Sequence, residues 1–155
     1  MTVLAAPAIP DLPLFILELH WRRRDLVLGE LVTLAHRVGS VRSIGPLLET
    51  LRIRERIAPS LLGKGAAFPA LRSLLVTRPT LVGGRAARAL DWSSEPDGQV
   101  RLVMLALAPA EMAEESWHGW LARVAALVRQ QRPRQKLLEA TTAESAAALM
   151  KEAGA

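Results

Sequence analysis

The sequence predicts a single domain of the α/β or α+β class, in which helices flank a central mixed sheet of four to five strands. The 155 residues are 50% hydrophobic, and the mean hydropathy is +0.20, so the chain can bury a sizeable core. Apolar residues recur at helical spacing towards both ends of the chain, whereas glycines punctuate short apolar runs between residues 59 and 98. Central strands with helices before and after them are typical of a sheet covered by helices.

The first elements are a short strand and two amphipathic helices. Residues 14–19 follow a proline and are rich in bulky apolar side chains, which favours a strand. Apolar residues then recur at helical spacing over 27–38, and Gly39 provides a natural stop. Ser43 is placed to cap a second helix, which we expect to end near residues 54–55.

Strands occupy the middle of the chain. The runs 66–71 and 80–85 suit short strands between glycine-containing turns. Residues 96–98 read Pro-Asp-Gly, a turn signal, and the apolar run 100–108 after them favours a buried strand. Pro109 then ends that strand.

The last part of the chain is predicted to be helical. Apolar residues at helical spacing indicate a long helix over 111–131, and Trp117 and Trp120 fall on one face of it, where we expect them to enter the core. A shorter helix around residues 137–138 and an alanine-rich helix over 142–153 follow.

The composition excludes several classes of chemistry. The chain has no cysteine, so a disulfide framework, a thiolate zinc site, an iron–sulfur cluster and a cysteine nucleophile are excluded. The three histidines, His20, His36 and His118, are scattered and predict no metal site. No glycine-rich stretch has the spacing of a nucleotide-binding motif. We therefore expect neither a metal nor a cofactor.

Residues 1–13 are predicted to be an N-terminal arm that precedes a domain over 14–153. They lack a basic region, and prolines interrupt their apolar residues, so they do not resemble a targeting peptide. The longest apolar run, over 100–110, is far shorter than the ~20 residues of a membrane-spanning helix. We expect a cytoplasmic domain without membrane insertion.

Positive charge is concentrated in the first part of the chain. The net charge is +5, and residues 1–92 hold 13 basic and 7 acidic residues, against 7 and 8 in residues 93–155. Arginines 22–24 begin a predicted helix, where cations meet the positive end of the helix dipole. Both features favour an acidic protein or a phosphorylated group as a partner. Nucleic acid is less favoured, because no aromatic residues alternate with the arginines.

The segment over residues 54–70 carries the clearest functional signal. Its distinctive residues, in chain order, are Arg54, Ser60, Gly63, Gly65, Pro69 and Ala70. The segment resembles the active-site region of enzyme IIA of the phosphoenolpyruvate-dependent sugar phosphotransferase system, in the mannitol/fructose and nitrogen-regulatory class. In that family an Arg-Glu pair ends a helix, a loop with Ser or Thr and Gly follows, and a short strand runs into Pro-His. The order and spacing of elements from residue 14 to residue 152 resemble the same family.

The sequence departs from this family at both histidine positions. The phosphoacceptor histidine of the family directly follows the proline, whereas here Ala70 follows Pro69. A methyl group has no lone pair with which to attack phosphorus. The second family histidine corresponds to Trp117, with His118 beside it, and one residue along a helix turns a side chain by about 100°. Arg54 matches the active-site arginine, which in an active relative would hold a phosphate oxygen.

The resemblance implies an enzyme IIA-like regulatory or protein-binding module that is inactive in phosphotransfer, rather than an enzyme. It implies an acidic protein partner, such as the histidine-containing phosphocarrier or a regulated transporter or kinase, and leaves the oligomeric state open. Two alternatives stay open. One is an active phosphotransferase component that uses His118 as a surrogate acceptor, and the other is a basic interaction domain for nucleic acid or an acidic protein.

Overall fold

The computed structural model describes residues 13–95 and 98–155. Residues 1–12 of the expected arm, and Pro96 and Asp97 of the expected turn, lie outside the described residues. The strands are β1 (Leu14–Ile16), β2 (Leu61–Gly63), β3 (Ala66–Ala67), β4 (Ala70–Ser73), β5 (Thr80–Asp91) and β6 (Gln99–Pro109). The helices are α1 (Arg24–Arg37), α2 (Ile44–Ile57), α3 (Glu114–Arg129), α4 (Gln131–Glu139) and α5 (Ala143–Glu152).

The strands form one mixed sheet, which confirms the predicted fold class. Its order is β1-β5-β6-β3-β2, and β4 also pairs with β6. The central pair β5 and β6 is antiparallel, β1 runs parallel to β5, β3 and β4 run parallel to β6, and β2 is antiparallel to β3. The sheet has six strands instead of the expected four to five. β2 was not expected, and the run 66–71 is divided into β3 and β4.

Pro69 explains that division. A proline has no backbone N–H and cannot donate to a strand ladder. Its carbonyl still accepts a hydrogen bond from the Ala106 N–H at 3.0 Å, while the Phe68 N–H turns away and donates to the Ser60 carbonyl at 2.8 Å. Both short strands therefore stay in one register along β6, and the ladder is interrupted between them.

Two apolar layers cover the two faces of the sheet. One cluster joins α1 and α2 to the sheet through residues such as Leu28, Leu31 and Leu47. The other joins α3, α4 and α5 to the opposite face and contains Trp117 and Trp120, which confirms the prediction that both enter the core. Within the described residues, no helix has the length and apolar character needed to cross a membrane.

Most helix boundaries follow the sequence signals, with one exception. Gly39 follows Val38, the C-cap of α1, and has φ +83°, as expected of a stop. The Thr142 side chain caps α5 by accepting a hydrogen bond from the Ser145 N–H at 3.0 Å. Ser43 occupies the N-cap position of α2, but its side chain makes no capping hydrogen bond, and the helix continues to Ile57, beyond the expected end at residues 54–55.

The strand boundaries differ more from expectation than the helix boundaries do, because contacts with other elements determine how far β5 extends. β1 ends at Ile16, earlier than expected, and β5 continues to Asp91 through an irregularity in its register. The Arg85 side chain donates to the Leu17 carbonyl at 3.0 Å and to the Leu137 and Leu138 carbonyls of α4 at 2.9 and 3.0 Å. This one side chain ties the loop after β1 and the end of α4 to the edge of β5.

Candidate functional site

A cavity of about 370 Å³ lies between the C-terminal end of α2 and the start of β4. We name it the Ala70 cavity, and its lining includes Arg54, Glu55, Ser60, Pro69 and Ala70. Four of these residues, all except Glu55, are candidate site residues from the sequence. The structure places these four residues around one cavity although up to sixteen positions separate them in the chain.

Glu55 organises one wall of the cavity. The residue is 96% buried, and a carboxylate is seldom buried unless it is paired. Its Oε1 accepts hydrogen bonds from the Ser60 N–H at 3.1 Å, the Ser60 hydroxyl at 2.8 Å and the Trp92 indole N–H at 2.9 Å. One oxygen thus joins the end of α2 to the residue before β2 and to the residue after β5.

Arg54 supplies positive charge to the cavity. Its side chain is exposed, and it makes no hydrogen bond or ion pair with any of the described residues. A guanidinium carries several donors in a planar fork and readily binds a phosphate or a carboxylate. Arg54 is therefore available to an anion that enters the cavity.

Ala70 stands at the edge of the cavity as the first residue of β4. It is half-buried, it pairs with Ala106 of β6, and its methyl group packs against the apolar cluster that contains Trp117. The methyl group offers neither a lone pair nor a proton. At this position the cavity wall can make contacts but cannot take part in covalent chemistry.

Trp117 is held within the core rather than in the cavity. Its ring meets the Trp120 ring at a centroid distance of 5.9 Å, with an interplanar angle of 61°. The Arg72 guanidinium lies 5.7 Å from its ring centroid and also donates to the Met112 carbonyl at 3.1 Å. These aromatic and cation–π contacts stabilise the large side chain of Trp117 within the core.

His118 lies apart from the residues that line the Ala70 cavity. Its side chain is 64% exposed on the solvent side of α3, and its Nε2 lies 3.4 Å from the Glu114 Oε1, one helical turn earlier. The structure thus brings Arg54, Ser60, Pro69 and Ala70 together but does not place His118 with them.

Gly63 and Gly65 shape a hairpin rather than the cavity. The turn between β2 and β3 consists of Lys64 and Gly65, and φ is positive at Gly63, Lys64 and Gly65 (78°, 58° and 75°). Glycine tolerates such angles without a steric penalty. The Gly65 carbonyl accepts hydrogen bonds from the N–H groups of Arg101 and Leu102, which fix the hairpin to β6.

Sequence reasoning missed the role of Glu55 and Trp92. Glu55 belongs to the Arg-Glu pair that ends the predicted second helix, but no local pattern joins it to Trp92, 37 positions further along the chain. A glutamate inside a helix that also carries buried leucines was the available signal.

Over the described ranges, no group of three or more His, Cys, Asp or Glu residues could hold a metal ion.

Comparisons with known proteins agree with this architecture. The model of the family described as phosphoenolpyruvate-dependent sugar phosphotransferase system, EIIA 2, matches residues 12–153. The chain is 26% identical over 129 residues to the fructose-specific EIIABC component of Bacillus subtilis, covering 83% of this chain and 20% of that protein. It is 32% identical over 89 residues to the fructose-like EIIA component of Escherichia coli, covering 57% of this chain and 60% of that protein. The chain thus spans less than two thirds of the length of either relative.

Solved structures show the same fold. The crystal structure of the nitrogen regulatory protein IIA-Ntr from Neisseria meningitidis matches with a TM-score of 0.77 and 26% identity, over 88% of this chain and 92% of that one. Enzyme IIA mannitol, solved in complex with phosphorylated enzyme IIB mannitol from Escherichia coli, matches with a TM-score of 0.72 and 16% identity, over 96% and 98%. The match of the family model over residues 12–153 shows that this chain belongs to the enzyme IIA family of the phosphoenolpyruvate-dependent sugar phosphotransferase system.

Proposed function

We propose that this domain is a regulatory or protein-binding module of the phosphotransferase system that does not accept a phosphoryl group. The observation that carries the proposal is Ala70, which directly follows Pro69 at the edge of the cavity. The family places its phosphoacceptor histidine after that proline. Transfer to a histidine forms a bond between nitrogen and phosphorus, and a methyl group cannot form one.

The other groups at the cavity support the same proposal. No histidine is among the residues that line it. The Ser60 hydroxyl donates a hydrogen bond to Glu55, but that Glu55 oxygen already accepts two further hydrogen bonds, so it is a poor base for activating a hydroxyl. Arg54 remains able to bind an anion. The cavity therefore keeps the means of recognising a phosphorylated or acidic group without the nucleophile.

The rim of the cavity fits an acidic protein partner. Ile57 is 78% exposed there, Ile53 is also exposed, and the arginines Arg54 and Arg56 flank them. An exposed apolar residue surrounded by one sign of charge is typical of a protein interface with electrostatic complementarity. The candidate partners are the histidine-containing phosphocarrier, an enzyme IIB, or a regulated transporter or kinase. The complex of enzyme IIA mannitol with phosphorylated enzyme IIB supports a partner of this kind.

The direct test is phosphorylation in a reconstituted system. The protein is incubated with phosphoenolpyruvate, enzyme I and the phosphocarrier, and acid-labile phosphate is measured, since phosphohistidine is acid-labile and phosphoserine is not. We expect no label on the natural chain. The variant Ala70→His is the positive control, because it places an imidazole beside Arg54 in a cavity with room for it, and we expect it to gain acid-labile label.

Two further variants assign any label that the natural chain does acquire. Loss of acid-labile label in His118→Ala would identify His118 as a surrogate acceptor and contradict the proposal. Acid-stable label that is lost in Ser60→Ala would identify Ser60 as an acceptor and also contradict it.

A further inference from the structure

A second polar cleft lies at the start of α1, beside the end of β5. Its volume is about 660 Å³. We name it the arginine cleft, and it is defined by Arg23, Arg24, Arg52, Ser93 and Ser94. It shares no lining residue with the Ala70 cavity. The function proposed for the Ala70 cavity does not involve the arginine cleft.

The charges that line the arginine cleft are positive in sum. Three arginines face two carboxylates, Asp25 and Asp91. Asp25 is engaged with the Nε of Arg24 at 3.2 Å, and both Arg23 and Asp91 are exposed. The charges of neighbouring arginines repel one another, and the positive end of the α1 dipole adds to this potential. An anion in the cleft would relieve that repulsion.

Several guanidinium donors in the cleft have no partner among the described residues. Arg24 uses Nη1 on the Trp92 carbonyl at 3.1 Å, and Arg52 uses Nη2 on the Asp25 carbonyl at 3.3 Å. These bonds fix the two side chains in place and leave the remaining terminal nitrogen of each unused. The Nε of Arg52 is buried without a hydrogen-bond partner, and Arg23 makes no side-chain hydrogen bond to a described residue. A buried donor of a cation that lacks a partner is costly unless an anion lies nearby.

We propose that the arginine cleft is a binding site for a phosphomonoester. Guanidinium forks match the oxygens of a phosphate, and the two negative charges of a phosphomonoester can be met by Arg23 and Arg52, neither of which forms an ion pair with a described residue. Ser93 accepts a hydrogen bond from the Glu95 N–H at 3.0 Å, so its own hydroxyl proton is free to donate to a phosphate oxygen. The volume leaves room for an organic group beyond the phosphate, and Leu26, which is partly exposed, gives that group an apolar wall.

Trp92 connects the arginine cleft to the Ala70 cavity. Its carbonyl holds Arg24 at the cleft, and its indole N–H donates to Glu55 at the cavity. Because both bonds belong to Trp92, a ligand that moves the Arg24 side chain within the cleft also acts on the residue that donates a hydrogen bond to Glu55. The indole N–H of Trp92 is therefore a natural reporter of ligand binding in the cleft.

The site can be tested by nuclear magnetic resonance on the whole chain. Isotopically labelled protein is titrated with glycerol 2-phosphate, with inorganic phosphate and with a serine-phosphorylated peptide, each at constant ionic strength. We expect saturable shifts of the amide signals of Arg24, Asp25, Ser93 and Ser94 and of the Trp92 indole. Tighter binding of the small ester than of the peptide supports a free metabolite as the source of the phosphate, and the reverse order supports a phosphorylated protein segment.

Variants distinguish a specific binding site from non-specific attraction of an anion to a basic protein. Arg23→Ala together with Arg52→Ala should weaken binding by about tenfold or more, since each charge-assisted contact contributes substantially. Arg42→Ala together with Arg132→Ala removes two exposed charges elsewhere and should leave binding unchanged. Arg23→Ala alone, at an exposed side chain, keeps the test valid if the double variant does not fold. The proposal is overturned if neither glycerol 2-phosphate nor the phosphorylated peptide saturates these signals, even if inorganic phosphate does, or if the two double variants weaken binding equally.

Discussion

At the scale of single residues, Glu55 determines the shape of the Ala70 cavity. A buried carboxylate that accepts three hydrogen bonds holds Ser60 and Trp92 in fixed positions around the end of α2. Hydrogen bonds to a charged acceptor contribute more than neutral ones, and the loss of a buried partner leaves the remaining donors unsatisfied. We therefore expect substitution of Glu55 to lower the free energy of unfolding of the domain.

Glu55→Gln should lower the free energy of unfolding by about 1–3 kcal/mol, because the amide keeps the shape of the side chain but loses the charge. The measurement is urea unfolding followed by tryptophan fluorescence. Glu49→Gln, at an exposed position of the same helix, is the matched control and should change stability by no more than about 0.5 kcal/mol. Equal effects of the two substitutions would show that the negative charge of Glu55 does not strengthen these hydrogen bonds.

Arg54 can be tested once an acceptor is restored. In the Ala70→His background, Arg54→Ala should slow labelling by the phosphocarrier by about tenfold or more, because the guanidinium would stabilise the charge of the transferring phosphoryl group. The unfolding free energy should hardly change, since the side chain is exposed. Arg42→Ala in the same background is the control. An undiminished rate in the Arg54 variant would remove this residue from the site.

The sequence predicts the part of the site that lies in one continuous segment of the chain. Arg54, Ser60, Pro69 and Ala70 belong to one segment of the chain, and the structure places all four at one cavity. Trp92 reaches Glu55 from the far end of β5, a contact that depends on tertiary packing and has no local signature. His118 was ambiguous in sequence, because a one-residue shift along a helix changes the direction of the side chain.

At the scale of elements, close packing between strands limits which residues β5 can contain. A Cβ added at Gly83 would lie 2.7 Å from the Phe15 ring and 2.9 Å from the Met104 sulfur, nearer than real Cβ atoms approach. One added at Gly84 would lie 2.7 Å from the Leu19 side chain. The two glycines therefore allow β1 and the loop after it to lie against β5, and they serve packing rather than nucleotide binding.

Gly83→Ala should destabilise the domain by about 1–3 kcal/mol, the usual cost of overpacking a core. Gly45→Ala is the contrasting case: apart from its chain neighbours, nothing lies within 4 Å of the added Cβ, but the better helix propensity of alanine is offset by its clash with the ring of the following Pro46, so a change of no more than about 0.5 kcal/mol is expected. Thermal and urea unfolding of both variants measure the difference. A neutral Gly83→Ala would mean that β1 can move away from β5 without loss.

The elements that the sequence predicts well are those with a repeated local pattern. The amphipathic helices α1, α3 and α5 and the apolar strand β6 follow their sequence signals closely. The strands β2, β3 and β4 have only two to four residues each, too few for a periodic pattern, and they are defined by pairing with β6 and with each other. The length of β5 likewise depends on its pairing with β6 and on the contacts of Arg85.

At the scale of the whole molecule, the basic part of the chain holds most residues of both candidate sites. All nine lining residues of the Ala70 cavity, and the three arginines of the arginine cleft, lie within residues 1–92, where positive charge is concentrated. Long-range attraction steers an acidic partner towards such a surface and weakens as salt is added. Exposed apolar residues then provide the contacts at short range.

Docking at the cavity rim should depend on Ile57. Ile57→Asp places a negative charge on an exposed residue, so the domain should fold normally, but binding of the phosphocarrier, measured by calorimetry, should weaken by about tenfold or more. Leu74→Asp is a matched control, because Leu74 is 79% exposed and does not line the cavity. An equal loss of binding in both variants would indicate a general effect of charge rather than a docking surface.

The central claim is that this enzyme IIA domain has kept the architecture of its family without the ability to carry a phosphoryl group. The most direct measurement is peptide mapping of the natural chain, at neutral pH, after incubation with phosphoenolpyruvate, enzyme I and the phosphocarrier. We predict no phosphorylated histidine in the natural chain and phosphate on the introduced imidazole of the Ala70→His variant. Stoichiometric phosphate on His20, His36 or His118 of the natural chain would contradict it.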